Sequence, residues 1–391
     1  MKSKIFFLFV ACMNIYSLEA QTTLQESFAY EGKLRTYRIY LPANYIAGSV
    51  RPVIFQFHGF SETAASDQSF SKWMPVADTA GFLVVYPNGL KDPFHSNNQY
   101  WNVGWPWLPN TNDVGFVSTL IDTVNARHHI DLQRVYASGM SNGGFMAFLL
   151  GANLSNKIAA VAAVSGGIVP SVYDTLVPKR PIPTLSIHGT ADNIVPYNGG
   201  GGMFASVHVD SVFTFWGLHN QCTPEVDTTY LPNLASGDGS TVVLFEFKNE
   251  SCLYDSRLYR IVGGGHIDWP GSSIPGNQDM NACSEIWNFF KTYTLPPVVS
   301  AEDPHSDDAI SISLYPVPVL DEVTISVNQV GDSRDPILIT IVNTMGEVIQ
   351  RGKINSGESA MIADMKTNSP GMYFVVVTQG RRQNVYKLLK V

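Results

Sequence analysis

The segment Gly139-Met140-Ser141-Asn142-Gly143 sets a serine between two glycines in a G-x-S-x-G pattern. It follows the strand-like run Arg134-Val135-Tyr136-Ala137 and leads into Gly144-Phe145-Met146-Ala147, the start of an apolar helix. A serine on a sharp strand-to-helix turn is a nucleophile presented for acyl transfer. Such a turn is strained, and bulky residues two positions away would clash, which gives Gly139 and Gly143 a steric purpose. The following helix aims free N–H groups and its positive dipole end at the same point, where negative charge would develop. The pattern alone is common, and two glycines can simply pack a turn. The strand before and the helix after make it informative.

A serine nucleophile needs a base, a carboxylate to orient that base, and donors for the oxyanion. His188-Gly189-Thr190-Ala191-Asp192 leaves an apolar run and enters a loop, which makes Asp192 the expected acid. Gly263-Gly264-Gly265-His266 follows another apolar run, with glycines that allow a tight loop to return an imidazole over a sheet; His266 is the expected base. The order Ser, Asp, His along the chain is that of α/β-hydrolases. His188 precedes the acid and is expected to fix its loop. His58-Gly59-Phe60 ends an early strand, so the backbone N–H groups of Phe60 and Asn142 are the expected oxyanion donors. Trp101, Trp105 and Trp107 crowd into one loop, and with Trp269 they are candidate substrate-binding rings, packing within the loop being the other reading. No metal-ligand spacing appears, and no cofactor or metal is expected.

The elements that must hold these residues alternate β and α. Apolar runs at Val53–Phe57, Phe82–Tyr86, Ile158–Val164, Thr184–His188 and Arg257–Val262 are interleaved with helical stretches such as Asp113–His129 and Glu285–Phe290. The expected fold class is α/β: a mostly parallel sheet with helices on both faces, entered through one or two antiparallel edge strands between Gln21 and Tyr45. The Pro-, Ser- and Asp-rich stretch 295–309 is a linker, and six short alternating segments after it predict a small C-terminal antiparallel β-sandwich over 310–391. Only 15% of the 391 residues are charged, and the net charge of -8 argues against nucleic acid as a partner. Lys2 and Lys4, the apolar run Ile5–Cys12 and Leu18-Glu19-Ala20 predict a signal peptide over 1–20, with acylation at Cys12 the alternative. No later run is long enough to insert in a membrane. Of the remaining cysteines, Cys222 and Cys252 are expected to pair across a polar excursion, leaving Cys283 buried.

Taken together, Arg35-Thr36-Tyr37, His58-Gly59, Asp113-Val114-Gly115-Phe116, Gly139 to Gly144, His188 to Tyr197 and Gly264-Gly265-His266 before Trp269-Pro270-Gly271 make residues 21–294 resemble secreted feruloyl esterases and polyhydroxybutyrate depolymerases, close to carbohydrate esterase family one. One departure is Ile267-Asp268 between His266 and Trp269, where the family runs Gly-His-Thr-Trp-Pro-Gly. Residues 310–391 resemble the sorting domain of type IX secretion in Leu314-Tyr315-Pro316-Val317-Pro318, Asn343-Thr344-Met345-Gly346-Glu347 and the ending Lys387-Leu388-Leu389-Lys390-Val391. The resemblance implies ester hydrolysis by Ser141, Asp192 and His266 outside the cell or at its surface, on feruloyl or acetyl esters of plant polysaccharide. It also implies an encounter with the secretion machinery. The rival readings are a polyester depolymerase, a peptidase on the same fold and a catalytically silent carbohydrate-binding protein.

Overall fold

The computed structural model describes residues 22–223, 225–248, 252–266, 269–271, 276–295, 311–329, 335–343, 347–355, 358–380 and 382–391. The expected signal peptide and nearly all of the expected linker lie outside them.

The first strands are β1 (Thr22–Tyr30), β2 (Lys33–Leu41) and β3 (Arg51–Phe57), followed by α1 (Ala64–Ser71), α2 (Trp73–Ala80) and β4 (Leu83–Pro87). A small hairpin, β5 (Leu90–Lys91) and β6 (Gln99–Tyr100), precedes α3 (Asp113–His128). Then come β7 (Ile130–Met140), α4 (Asn142–Asn153), β8 (Ala160–Val164), α5 (Pro170–Tyr173), β9 (Thr184–Gly189) and α6 (Val209–His219). The unit closes with β10 (Asp227–Tyr230), β11 (Thr241–Phe247), β12 (Ser256–Val262) and α7 (Ala282–Phe290). One ten-stranded sheet runs in the order β1-β2-β4-β3-β7-β8-β9-β12-β11-β10. The six strands from β4 to β12 are parallel, and antiparallel strands extend both flanks.

Alternation along the strands divides the core into two layers. Val53, Phe55 and Phe57 face the layer under α3, α4 and α6, whereas Ile54 faces the layer under α1, α2 and α7. Each fully buried side chain of this size contributes about 1.5–3 kcal/mol by leaving water, so both faces of the sheet are committed and its register is fixed. Register then sets the site. Phe57 lies beside Gly139 in the parallel β3–β7 pair, so the chain beyond β3 emerges level with Ser141. Gly189 lies beside Ile261 in the β9–β12 pair, so the loops after these strands emerge side by side.

A disulfide joins Cys222 to Cys252, and Cys283 is free and buried in α7, where its thiol donates to the Ser71 carbonyl. The segment from Asp227 to Tyr230, read from the sequence as part of a polar loop, is a strand. All four of its side chains are exposed, so it carries no apolar signal and is ordered by pairing with β11.

The C-terminal strands are β13 (Ser311–Tyr315), β14 (Glu322–Gln329), β15 (Ile337–Asn343), β16 (Val348–Ile354), β17 (Ala360–Asp364), β18 (Gly371–Gln379) and β19 (Arg382–Lys390). They form a three-stranded sheet, β13-β14-β17, and a four-stranded one, β16-β15-β18-β19, around a separate core. Strand β17 was not expected from the sequence: only Ala363 of its five residues is buried, too few for a visible alternation. Phe374 and Val342 pack against the large unit, and Lys387 Nζ donates to the Tyr173 carbonyl while lying 5.3 Å from the Phe215 ring centre. An apolar cavity of about 420 Å³ remains in this seam, between Leu176 and Leu218 on one side and Leu314 and Val385 on the other.

Candidate active site

Ser141 sits between β7 and α4 with φ 53° and ψ -123°, a conformation that L-residues avoid and that a tightly packed site must enforce. The enforcement is visible at its neighbours. A Cβ on Gly143 would lie 1.9 Å from the Phe57 carbonyl oxygen, and one on Gly139 would lie 2.4 Å from the backbone of Gly143. The elbow is therefore pressed directly against the end of β3.

Asp192 and His266 reach the serine from the paired β9 and β12 loops. His266 Nε2 lies 2.9 Å from Ser141 Oγ, and His266 Nδ1 lies 2.8 Å from Asp192 Oδ2. Burial alone would raise the Asp192 pKa, but hydrogen bonds from His188 and His266, reinforced by their charge, hold it well below the usual carboxylate range. An ionised Asp192 only accepts, so Nδ1 of His266 carries the proton and Nε2 accepts from the serine hydroxyl. The other Asp192 oxygen accepts from the N–H groups of Ile194 and Val195, at 2.9 and 2.8 Å. His188, fully buried, points Nε2 at the Val195 carbonyl at 2.9 Å and at Asp192 Oδ2 at 3.3 Å. It braces the acid loop from behind. Of the three glycines before His266, Gly263 has φ 84°, whereas Gly265 has open space where a side chain would go.

The loop after β3 is held by His58. Its Nε2 accepts from the Gly89 N–H at 2.9 Å, so Nδ1 is the protonated nitrogen and donates to the Gly59 carbonyl at 2.7 Å. Burial favours this neutral form and lowers the His58 pKa to about 4. A trans peptide points its C=O and N–H in opposite directions. Fixing the Gly59 carbonyl therefore fixes the Phe60 N–H, for which no acceptor is found among the described residues. Asn142 is the first residue of α4, and its N–H has no intrahelical acceptor. A Cβ on Gly59 would lie 3.6 Å from Ser141 Cβ, which brings this loop to the serine. Two outward N–H groups beside one hydroxyl can receive an oxyanion.

Sequence reasoning missed the Asn142 side chain. Buried completely, it accepts from the Trp101 N–H at 2.7 Å and donates to the Trp101 carbonyl at 3.0 Å, while Trp101 Nε1 donates to the His58 carbonyl at 3.0 Å. No signal in the sequence joins positions so far apart. The same bonds correct the expectation for the tryptophans. Trp101 is 0%, Trp105 2% and Trp269 2% exposed, so each ring is enclosed by protein and offers no face to a ligand. Trp269 packs with Trp73 and Phe70 in the layer under α1 and α2. Trp107 alone of the four is only half-buried, edge-on to Phe60 at 5.4 Å, with Phe204 5.7 Å from Phe60. Ile267 and Asp268, the departure noted in the sequence, lie outside the described residues.

Residues 35–178 match the family described as Esterase PHB depolymerase, and residues 313–391 match the Secretion system C-terminal sorting domain. A bifunctional acetylxylan esterase/xylanase of Neocallimastix patriciarum is 28% identical over 71% of this chain and 36% of its own length. Feruloyl esterase B of Piromyces equi is 28% identical over 65% of this chain and 44% of its own. The chain thus spans less than half the length of these two relatives. The putative esterase NocK of Nocardia uniformis subsp. tsuyamanensis is 31% identical over 66% of this chain and 76% of its own. With its sorting-domain match, the chain is an exported protein, extracellular or attached to the cell surface.

Proposed function

The chain belongs to the esterase PHB depolymerase family, and on that premise we propose that it is a serine esterase of plant cell-wall polysaccharide, removing feruloyl or acetyl groups through an acyl-enzyme. The observation that carries this reading is the unbroken hydrogen-bonded chain from Ser141 Oγ through His266 to Asp192. Ser141 Oγ attacks the ester carbonyl while His266 Nε2 takes its proton. Asp192 stays ionised and stabilises the imidazolium through Nδ1–H. The carbonyl oxygen, now negative, is received by the N–H groups of Phe60 and Asn142, each donor being worth on the order of 2.7–4 kcal/mol in the transition state. His266 returns the proton to the departing sugar oxygen. Water then repeats the sequence on the acyl-enzyme.

Residues 21–294 carry this activity, 295–309 link, and 310–391 serve export through the secretion machinery. An aromatic acyl group is favoured by the half-buried rings of Phe60, Trp107 and Phe204 next to the oxyanion loop, a wall on which a planar ring can pack edge or face. The relatives named as feruloyl and acetylxylan esterases support the same class. A second reading, a polyester depolymerase, is favoured by the description of the matched family. The two are separated by hydrolysis of methyl ferulate beside clearing of a polyhydroxybutyrate film, with Ser141→Ala as control. Serine-dependent ferulate release with an intact film supports the first; clearing alone supports the second. No ester turnover by the wild type on any substrate would revive a silent carbohydrate-binding protein.

A further inference from the structure

On one flank of the oxyanion loop lies a groove of about 560 Å³, of mixed polar and apolar lining, between the start of β2 and the β5–β6 hairpin. Its lining contains Lys33, Arg35 and Lys91 and no acidic side chain. A chain with 25 Lys and Arg among 391 residues and a net charge of -8 would place about one basic residue in a lining of this size. A cationic groove on an anionic protein concentrates anions. Lys33 and Lys91 are exposed, and no salt bridge of either is found among the described residues. Arg35, 3% exposed, donates through one nitrogen to Asp113 Oδ1, yet its Nε has no acceptor among the described residues. Asp113 shares its charge further, accepting at Oδ2 from the Asn102 N–H and the Thr111 hydroxyl. The guanidinium also donates to the Asn88 carbonyl at 3.4 Å and lies 3.6 Å over the buried Phe116 ring, so its charge is spent inside the fold and the groove's unpaired charge is that of Lys33 and Lys91.

The groove is mechanically tied to the chemistry. Gly89, in its lining, donates to His58 Nε2, and Gln99, also in its lining, accepts from the Ser61 N–H at 2.9 Å. Both bonds hold the loop that carries the Phe60 N–H. The walls alternate charge with apolar surface: Leu34 is 69% exposed, and Leu90 and Pro93 line the same groove. Sugar rings present apolar C–H faces and polar rims, and such walls match them.

We propose that this groove is a saccharide subsite for carboxylate-bearing sugars, holding a uronate on the polymer that carries the ester through Lys33 and Lys91. The inference rests on the polysaccharide esterase reading, deepens it to acidic polymers, and is tested without turnover. The inactive full-length Ser141→Ala protein is titrated by calorimetry with a uronate-substituted xylo-oligosaccharide and with its neutral counterpart. The titration is repeated in a Lys33→Ala/Lys91→Ala background and in 0.5 M salt. The acidic ligand is expected to bind roughly tenfold more tightly than the neutral one, from two exposed ion pairs, and the difference should vanish with the lysines and shrink in salt. Thermal melting confirms that the double variant is folded, and with Ser141 restored its methyl ferulate turnover should stay within about twofold of wild type. Equal affinity for the two ligands, binding of neither, or a preference that survives loss of both lysines overturns the subsite. Failure of wild-type ferulate turnover would instead strike the esterase reading, so the two failures are distinguishable.

Discussion

Gly143→Ala places a methyl group 1.9 Å from the Phe57 carbonyl oxygen, 2.5 Å from its carbon and 2.8 Å from the His58 carbonyl oxygen. All three are backbone atoms at the buried end of β3 and the residue after it, so no side chain can swing aside. Real Cβ atoms stay beyond 3.0 Å, so the elbow and β3 must part by about 1.1 Å. That opening falls between the nucleophile and the loop bearing the Phe60 N–H, and it pulls Ser141 Oγ from its 2.9 Å contact with His266. Overpacking of this kind costs about 1–3 kcal/mol of stability, and a misplacement near 1 Å costs about 100-fold in rate. The expected result is a folded protein with a lower urea midpoint and kcat/KM for methyl ferulate reduced by roughly 100-fold or more. Gly237→Ala, at a glycine with nothing within 4 Å, should change neither quantity and controls for the general effect of losing a glycine. A Gly143→Ala enzyme within threefold of wild type, with an unchanged midpoint, would refute the claim that contact between elbow and strand sets the nucleophile.

The Asp67 carboxyl is sealed in the layer under α1 and is pushed up to about 8, chiefly by burial and further by the charge of Glu62. The folded state therefore holds a proton that the unfolded chain releases near pH 4, and stability falls as pH rises from there through about 8. Asp67→Asn removes this dependence, so its advantage over wild type should grow between pH 5 and pH 8 by on the order of 2–4 kcal/mol; urea melts at both pH values check this, and an equal difference at the two contradicts it. The Cys222–Cys252 bridge spans 30 residues, and its replacement by alanines should cost about 3–4 kcal/mol through the unfolded state. Urea unfolding gives the cost, and a loss under 1 kcal/mol would show that the segment is held by pairing of β10 and β11 instead.

What the sequence made legible follows from how local each signal is. The elbow, the acid loop and the His266 loop each join a strand end to residues a few positions on, so spacing alone exposed them. The parallel strands were visible because both faces are buried and their runs are continuously apolar. Strands β10 and β17 were missed because pairing, not burial, orders them. The tryptophans misled because clustering in sequence says nothing about which faces the fold covers: Trp101 is drawn inward by Asn142 and His58, partners about forty residues away in either direction. The Arg35–Asp113 pair, likewise, was present only as two separate segments of the family resemblance until the fold joined them.

The three imidazoles of the site differ sharply in what can reach them. His58 and His188 are enclosed, with their hydrogen-bonding nitrogens directed into the protein, whereas the side chain of His266 keeps 11% of its surface open. A histidine-acylating reagent thus has one address in this site. His266 would be labelled alone of the three, its loss would track inactivation one for one, and a bound ester or product would shield it. Covalent labelling read by mass spectrometry therefore becomes a direct gauge of occupancy, applicable even to insoluble polymers on which no continuous rate assay is practical.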